Sequence, residues 1–350
     1  MTFARPLPHH DPIALLRVDG LRAAETAAAA SLPPHTLMAR AGDAAARWLS
    51  ERLAHDDRPV GFAVGPGNNG GDALVAAAEL QQLGVPTEAW MPVAVKPDDA
   101  QWALGLARAA GVPIATAPPA SLDGYAWVVD GLFGIGLARG LDGAYAQMAA
   151  RIAARARNSG SVLALDVPSG LDSDTGQVVG AGEAVAATHT LTFIAAKPGL
   201  YMIDGRDLAG EIHLASLDVA LPATPAATLN ATALFAHALP ARTFASNKGT
   251  FGSLAVIGGD TGMCGAPILA ARAALFAGAG KVHAGFLGTG APPYDPPFPE
   301  LMLHSASDLN LDAMSALAIG CGLGMREPAM QLVEHVLTRD TATLLDADAL

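Results

Sequence analysis

The chain has little cysteine, little aromatic content and a shortage of positive charge. Cys264 and Cys321 are its two cysteines, too few for a disulfide framework or a cysteine-type zinc site, so we expect buried thiols. Lysine and arginine number 21 against 33 acidic residues, and the net charge of −12 disfavours nonspecific contact with nucleic acid or an anionic membrane. The composition therefore argues against nucleic-acid and membrane-surface functions.

Long hydrophobic runs are also missing. The mean hydropathy of +0.33 comes largely from alanine interrupted by polar residues, and no apolar stretch is long enough to span a bilayer. Residues 1–6 lack the apolar core of a signal peptide. Since 51% of the residues are hydrophobic and 15% are charged, disorder is excluded, and 350 residues suffice for two domains. We expect a soluble, cytoplasmic protein with sizeable cores.

The most informative segment is a glycine-rich loop, Gly65 to Asp72, with the sequence GPGNNGGD. An apolar run precedes it and an alanine-rich segment follows it, which is the order of strand, turn and helix that cradles a nucleotide in α/β sheets. Asp72 at the helix start would repel a pyrophosphate, although a carboxylate there also favours a helix N-terminus on structural grounds. The loop therefore indicates nucleotide handling of an unusual kind.

A hydride-transfer enzyme is one alternative. Gly65, Gly67 and Gly70 satisfy the G-x-G-x-x-G fingerprint, and Glu88 lies near the distance at which a dehydrogenase binds a ribose. Because a glycine fingerprint alone matches many unrelated proteins, an NAD-dependent oxidoreductase is the weaker interpretation.

Strand-like and helical segments alternate along much of the chain after residues 14–50, which have the composition of helices. The strand-like runs are residues 60–64, 86–93, 127–130, 161–166 and 189–195, and helices are predicted near 73–80, 98–110 and 144–154. Such alternation predicts an α/β fold with a parallel sheet covered on both faces. Because ligands bind beyond the carboxyl ends of such strands, we expect the loops 68–72, 130–137 and 166–172 to converge on one site.

A second α/β unit is predicted after a proline-containing segment. Residues 221–245 have the composition of a linker. The strand-like run 254–257 then leads into a glycine-rich turn and a helix near 267–278. Residues 344–350 have the pattern of a strand and its following loop with no helix to cover them, so we expect this unit to end early.

Oxygen ligands in the three loops suggest a cation site. The ligand atoms are all oxygens in the side chains of Asn69, Asp130 and Ser169, and the carbonyl groups of the glycine turns lie nearby. This set suits K⁺ or Na⁺ better than zinc. Hydrogen bonds within the loops explain the same residues equally well. The ten histidines show no H-E-x-x-H spacing, and we assign them no metal.

Asp166 is the candidate acid or base. It follows an apolar strand and precedes Pro168, and a carboxylate at the carboxyl end of a strand in a partly apolar pocket can be tuned for proton transfer. A structural role in capping the turn is the alternative. The residue pattern alone leaves both roles open.

Taken in order, these motifs resemble the NAD(P)H-hydrate epimerase family, fused to the start of the ADP/ATP-dependent NAD(P)H-hydrate dehydratase family. The first set comprises Glu25, residues 38–42, 65–72, 130–137, Arg139, 166–170, 192–193 and 197–199. The second set comprises residues 247–252, 258–259, 265–280, 322–324 and 345–349. The resemblance implies a doubly wound, Rossmann-like parallel sheet in an epimerase domain, residues 1–220, and a partial ribokinase-like α/β domain, residues 246–350.

The resemblance also implies roles for individual residues. Asp166 would be the catalytic residue, and K⁺ would be bound by Asn69, Asp130 and Ser169. Hydrated NADH or NADPH would be bound by Asn68, Asn69, Gly70, Gly71, Asp72, Gly134, Ile135, Gly136, Leu137, Ala138, Arg139, Gly140 and Asp166. Gly322 would contribute to the substrate site of the dehydratase.

The dehydratase half departs from its family pattern. A His-Pro-Gly-Glu segment and a Gly-Thr-Gly-Asp loop, which the family places later, have no counterpart before Leu350. The resemblance therefore implies a dehydratase half that is incomplete and inactive in this chain, with ADP or ATP required only by a complete domain.

The implied function is repair of hydrated NADH and NADPH by interconversion of their R and S forms, with K⁺ as the cofactor and a small molecule as the partner. No nucleic-acid or membrane partner is implied, and a homo-oligomer is left open. Similar domains also occur in an mRNA-decapping scaffold and an apolipoprotein-binding protein, so a noncatalytic nucleotide- or RNA-binding scaffold is the competing class. The net charge and the intact glycine loop and Asp166 argue against it.

Overall fold

The computed structural model describes residues 12–53, 56–222, 224–238 and 241–350. The chain divides into two compact units, residues 1–239 and 240–350. Residues 1–6, which lack the apolar core of a signal peptide, lie outside the described residues. Within the described part of the chain, no helix is both long enough and apolar enough to cross a membrane.

The first unit is a doubly wound α/β fold. Its strands are β1 (Ile13–Leu15), β2 (Val60–Val64), β3 (Thr87–Trp90), β4 (Ile114–Ala115), β5 (Trp127–Gly131), β6 (Val162–Leu165), β7 (His189–Phe193), β8 (Glu211–Ala215) and β9 (Ala227–Leu229). Its helices are α1 (Val18–Ala29), α2 (Thr36–Ser50), α3 (Asn68–Gln82), α4 (Asp98–Ala109), α5 (Gly143–Arg157), α6 (Gly205–Leu208) and α7 (Thr232–Phe235).

Seven of these strands form one parallel sheet in the order β4-β3-β2-β5-β6-β7-β8. The chain builds outward from β2 to β4, then returns to the other side of β2 and builds outward from β5 to β8. The order therefore reverses between β2 and β5, the position at which doubly wound sheets leave a crevice for a ligand.

The two faces of the sheet belong to different cores because successive strand residues point in opposite directions. On β2, Phe62 and Val64 join the core that includes Trp48, whereas Ala63 joins the core that includes Ile152. Helices α2 and α5 thus cover opposite faces, as the alternating pattern predicts for a parallel sheet.

The central strands and helices of this unit follow the predicted segments, but its margins differ. Residues 14 and 15, predicted as helix, belong to β1, which pairs antiparallel with β9. β9 and α7 lie inside the segment predicted as a linker, and the two compact units divide at its residue 239. β4, which has two residues, and β8 are the edge strands of the sheet, and neither belongs to the predicted strand-like runs.

The second unit is a separate five-stranded parallel sheet in the order β12-β11-β10-β13-β14. Its elements are β10 (Ser253–Gly258), α8 (Gly265–Ala277), β11 (Lys281–Phe286), β12 (Met302–Ser305), β13 (Ala316–Ile319), α9 (Glu327–Leu337) and β14 (Ala342–Leu345). Its two cores again lie on opposite faces of the central strand, since Val256 belongs to one and Ile257 to the other. β14 is an edge strand, and its Leu344 is 60% exposed.

Candidate active site

The carboxyl ends of several strands of the first unit open into one cavity of about 680 Å³. It lies where the strand order reverses between β2 and β5. The start of α3, the loop after β5 and the turn after β6 all contribute to its lining, together with residues of α1 and α2. The three loops predicted to converge therefore meet at one cavity.

The turn between β2 and α3 requires glycine because backbone atoms approach it closely. A Cβ atom on Gly65 would lie 1.6 Å from the carbonyl oxygen of Leu132, and one on Gly70 would lie 2.1 Å from the carbonyl oxygen of Gly65. This packing brings the first residues of α3, Asn68 and Asn69, to the cavity wall.

Not every residue of the glycine loop reaches the cavity. Asn68, Asn69 and Asp72 line it, whereas Gly70 and Gly71, which the resemblance implied as substrate contacts, are outside the described lining. A Cβ atom on Gly71 would lie 2.5 Å from the side chain of Met38. The described contacts of these two glycines are thus explained by packing of α3 against its neighbours.

Asp130 and Ser169 form a buried hydrogen-bonded pair outside the described cavity lining. Ser169 Oγ lies 2.7 Å from Asp130 Oδ1, and the Ser169 backbone N–H donates to Oδ2 at 2.8 Å. Neither residue has exposed surface, and this burial raises the pKa of Asp130 to about 6 against the opposite effect of its hydrogen bonds. Among the described residues, no lysine or arginine lies within ion-pair distance of this carboxylate.

Asn69 presents an unsatisfied amide next to the loop that follows β5. The residue is 8% exposed, and both Oδ1 and Nδ2 lack a hydrogen-bond partner among the described residues. A Cβ atom on Gly134 would lie 3.5 Å from Asn69 Cγ, which places the amide against this loop. Because an unsatisfied buried amide is costly, the site is suited to a ligand that supplies the missing contact.

Asp166 occupies a strained turn directly after β6. Its φ of +67° is unusual for a residue with a Cβ atom, and the N–H of Val167 donates to the carbonyl of Leu165 across it at 2.9 Å, which makes Asp166 the centre of a γ-turn. The turn directs the carboxylate into the cavity, where Oδ2 accepts a hydrogen bond of 3.1 Å from the backbone N–H of Ile135.

A lysine from the neighbouring strand end holds the other carboxylate oxygen. Lys197 Nζ lies 2.5 Å from Asp166 Oδ1 and also donates to Thr192 Oγ1 and the carbonyl of Phe193, each at 2.8 Å. The Lys197 side chain is 1% exposed and that of Asp166 is 13% exposed. All three ammonium protons of Lys197 thus have acceptors, and the ion pair holds the Asp166 carboxylate in position. The carboxylate keeps a small exposed surface at the cavity.

The strand that precedes Lys197 ends in the same kind of turn as β6. Ile194 has a φ of +67°, and the N–H of Ala195 donates to the carbonyl of Phe193 at 2.7 Å. A β-branched residue in this conformation is a rare outlier. Two adjacent parallel strands therefore end in matching strained turns, one of which carries Asp166 and the other of which leads to Lys197.

Further carboxylates line the cavity and perturb one another. Desolvation raises the pKa of Glu25, and the nearby Asp166 raises it further against the effects of Lys197 and Arg22. Desolvation also raises the pKa of Asp72 well above the usual range of a carboxyl group, with a contribution from Asp166. Perturbed carboxyl groups gathered in one cleft are characteristic of functional sites.

The loop after β5 contributes only its first part to the cavity. Gly134, Ile135 and Gly136 line it, whereas the implied substrate contacts Leu137, Ala138, Arg139 and Gly140 are outside the described lining. A Cβ atom on Gly140 would lie 3.0 Å from the carbonyl oxygen of Val179, which places this end of the loop against the segment before β7.

Two other predicted residues lie away from this cavity. Glu88 accepts a hydrogen bond of 2.5 Å from the Tyr125 hydroxyl and is outside the described lining, so it gives no support to a dehydrogenase ribose site. Gly322 belongs to the second unit, where it follows β13 with a φ of +59° and accepts a hydrogen bond of 2.7 Å from the N–H of Asp260.

Lys197 and Glu25 are site residues for which no role was predicted from the sequence. Both belong to the segments on which the family resemblance rests, but neither has a spacing that indicates contact with Asp166. A signal for Lys197 does exist, because a lone lysine follows the apolar run 193–196 at the end of a strand. Its partner is set by the order of β6 and β7 in the sheet.

Comparison with known proteins identifies the family. A protein from Thermanaerovibrio acidaminovorans named bifunctional NAD(P)H-hydrate repair enzyme is 32% identical over 371 residues, which cover 97% of this chain and 71% of that protein. The chain belongs to the NAD(P)H-hydrate repair enzyme family. A second repair enzyme of the same name, from Coxiella burnetii, is 36% identical over 90% of this chain and 66% of its own length. The chain thus spans slightly under two thirds of the latter relative.

The two units of this family member match different descriptions. Residues 34–199 match the family model of the YjeF-related protein N-terminus, and residues 254–350 match that of NAD(P)H-hydrate dehydratase. The NAD(P)H-hydrate epimerase of Bordetella pertussis is 45% identical over 185 residues, which cover 52% of this chain and 78% of that protein. The resemblance drawn from the motifs is confirmed, and a scaffold or oxidoreductase is not favoured.

Proposed function

We propose that the first unit interconverts the R and S hydrates of NADH and NADPH. The observation that carries the proposal is the Asp166 carboxylate, held by Lys197 and the N–H of Ile135 at the wall of a cavity between β2 and β5. The name and coverage of the Bordetella pertussis epimerase support the same assignment.

The substrate's chemistry explains why one held carboxyl group suffices. Addition of water to the reduced nicotinamide ring leaves a hydroxyl on C6 beside the ring nitrogen, whose electron pair can expel it and form an iminium ion. Protonated Asp166 gives its proton to the departing hydroxyl, which leaves as water. Water then adds to the other face of C6 while the Asp166 carboxylate accepts its proton, so the configuration inverts and the protein returns to its starting state.

Lys197 is a positioning residue in this scheme. Its ammonium orients Asp166 and offsets the negative charge that Glu25 and Asp72 bring to the cavity. At the mouth of the cavity, Arg22 and Lys96 supply positive charge for the substrate's phosphate groups. The start of α3 adds backbone N–H groups at Asn68 and Asn69 that suit an anion.

We further propose that Asn69, Asp130 and Ser169 hold K⁺. The unsatisfied Asn69 amide and the buried Asp130 carboxylate, which has no cationic side chain beside it among the described residues, fit a cation with oxygen ligands. Such an ion supplies positive charge that fixes the substrate-binding loops and the substrate's phosphate groups. The loops it would join carry Ile135 and Asp166, so it would also stabilise the position of the catalytic carboxylate.

For the second unit we propose a role in ADP- or ATP-dependent dehydration of the S hydrate. Its support is the match of residues 254–350 to the dehydratase family. Gly322 lies in the turn after β13, beside the ion pair of Asp260 and Arg326, and is the proposed contribution of this turn to the substrate site. A cytoplasmic location and a homo-oligomeric state stay predictions.

A coupled assay tests the epimerase proposal. A separate dehydratase that consumes only the S hydrate should stall on a mixture of hydrates with the R form left over, and this chain should release the stall. Chromatography that shows the R peak declining only at its spontaneous rate would overturn the proposal. Omission of the added dehydratase and of ADP and ATP is the control, because the chain should then equilibrate the two forms without dehydration.

A further inference from the structure

A second cluster of reactive side chains lies at the opposite end of the sheet from the cavity. Among the described residues, His189, Glu211 and His213 each offer one ligand atom, and these three atoms lie within 4.8 Å of one another. His189 begins β7, whose far end carries the strained turn at Ile194. The two ends of β7, His189 and Phe193, are about 13 Å apart at the usual rise of a strand.

The register of β7 and β8 brings the three side chains together. His189 is paired directly with Glu211 in the parallel ladder, and His213 lies two residues further along β8. Since side chains two apart on a strand point to the same face, Glu211 and His213 project to one side of the sheet. No metal could be assigned to these histidines from their spacing, because the ligands become adjacent only through strand pairing.

The second ring nitrogen of His189 has a polar contact of its own. His189 Nδ1 lies 3.1 Å from Thr188 Oγ1, and this oxygen also lies 2.8 Å from the carbonyl oxygen and 2.9 Å from the N–H of Val162. In the tautomer in which Nδ1 donates to Thr188, Nε2 carries the electron pair that a metal requires. Such an outer contact of Nδ1 is typical of metal-binding histidines.

The spacing of the other two side chains matches a tetrahedral ion. His213 Nε2 lies 3.1 Å from Glu211 Oε1. Two ligands at zinc distances from a tetrahedral ion are separated by about 3.3 Å. The His189 and His213 rings are stacked, with centroids 5.9 Å apart, and Trp48 meets both rings edge-on at 5.2 Å. An aromatic shell therefore shields the cluster on one side, which strengthens an ion's electrostatic interactions.

We propose that His189, Glu211 and His213 bind one divalent transition-metal ion, with Zn²⁺ as the best fit. Two imidazole nitrogens and one carboxylate oxygen are a recurrent zinc ligand set, whereas Mg²⁺ and Ca²⁺ favour oxygen ligands alone. The bound ion joins the edge strand β8 to β7 and stabilises the edge of the sheet. The proposal does not depend on the epimerase assignment, because the site lies at the other end of the strands.

Calorimetric titration of the untagged, chelator-treated full chain with ZnCl₂ tests the proposal. We expect one equivalent to bind and the midpoint of thermal unfolding to rise, while MgCl₂ has neither effect. Addition of Cu²⁺ should quench tryptophan fluorescence because Trp48 contacts both imidazole rings.

Matched variants separate this cluster from other histidines. Glu211→Gln is nearly isosteric and should lower zinc affinity by about 10- to 100-fold or more while far-UV circular dichroism stays unchanged. His213→Gln should do the same. His304→Gln, which disrupts the 3.1 Å contact between His283 and His304 in the second unit, should retain the full stoichiometry and affinity. Absence of zinc binding by the parent chain, or equal binding by all three variants, would overturn the proposal.

Discussion

Lys197 Nζ and Asp166 Oδ1 lie 2.5 Å apart at the ends of two adjacent parallel strands, and the lysine side chain is 1% exposed. Asp166 is the centre of one γ-turn, and Lys197 lies three residues after Ile194, the centre of the other; both centres have a φ of +67°. The strained backbone and the ion pair together define the position of one carboxylate oxygen.

Replacement of Lys197 by Met should destabilise the chain and slow epimerisation. The change leaves the Asp166 carboxylate without its cation beside Glu25 and Asp72, and loss of one partner of a buried pair costs about 3 kcal/mol. Urea unfolding measures the first effect, and we expect turnover to fall by about tenfold.

The control for this variant is Lys96→Met. Lys96 lines the same cavity but is exposed, and its removal should change the free energy of unfolding by less than about 0.5 kcal/mol. A double variant with Asp166→Asn should be less unstable than the sum of the single changes, because the two side chains interact directly. Additive effects would show that the pair makes no net contribution.

Potassium should stabilise the chain through Asn69. An ion that binds only the folded state raises its free energy of unfolding with the logarithm of ion concentration, and each 1 kcal/mol raises the unfolding midpoint by about 2–4 °C in a unit of this size. Differential scanning calorimetry in KCl and in choline chloride at equal ionic strength measures the effect. Asn69→Ala should abolish the difference, and Asn68→Ala, one residue away and exposed, should retain it. Equal midpoints in the two salts would contradict the proposed cation site.

Helix α3 carries a carboxyl group, that of Glu79, whose ionisation should lower the free energy of unfolding. Desolvation, with a contribution from Asp43, raises the pKa of Glu79 to about 7 from an ordinary value of 4.5. The folded state thus holds this proton more tightly than the unfolded state, so its stabilising contribution is complete below pH 4.5 and is lost as the pH rises to about 7.

Glu79→Gln should therefore be more stable than the parent at pH 8, by about 1 kcal/mol after allowance for solvent screening, and should lose this advantage at pH 4. Urea unfolding across this pH range measures the difference. Glu51→Gln, the same change at an exposed position, is the matched control. A difference between Glu79→Gln and the parent that does not vary with pH would exclude the linkage.

The central strands and helices of the first unit could be predicted because apolar runs alternate with helical segments along the sequence. The runs at β2, β5 and β6 are fully buried and uninterrupted, and each ends in a polar or glycine-rich loop. The sequence has no local signal for the side of β2 on which β5 lies, since strand order depends on contacts across the whole sheet. The strands β4, with two residues, and β1, with three, could not be predicted because they are too short to show a pattern.

For the site residues, too, position along the chain could be predicted but contacts between strands could not. The placement of Asp166 at a strand end could be predicted from its position after an apolar run, but its γ-turn and its contact with Lys197 depend on the packing of β6 against β7. For Gly70 and Gly71 the structure shows a close-packing requirement beside the predicted substrate contact, and the two requirements for glycine have the same sequence signature. The pairing of His189 with Glu211 likewise arises only in the folded sheet.

The proposed mechanism exchanges an oxygen atom with solvent. Because the C6 hydroxyl leaves as water and a second water adds, epimerisation in H₂¹⁸O should introduce one ¹⁸O atom for each inversion. Mass spectrometry of the hydrates measures this incorporation against a sample without protein. Inversion without incorporation would point to opening of the ring with retention of the original oxygen, and would exclude the iminium route.

The most direct test of the central claim is the initial rate of conversion of purified R hydrate to S hydrate, measured by chromatography with the parent chain and with Asp166→Asn. Asp142→Asn, at the start of α5 and outside the described cavity lining, is the matched control. We expect rapid conversion by the parent and the control, and a rate lower by a factor of about 10² or more with Asp166→Asn. Conversion by the parent at the spontaneous rate, or unchanged conversion by a folded Asp166→Asn chain, would contradict the central claim.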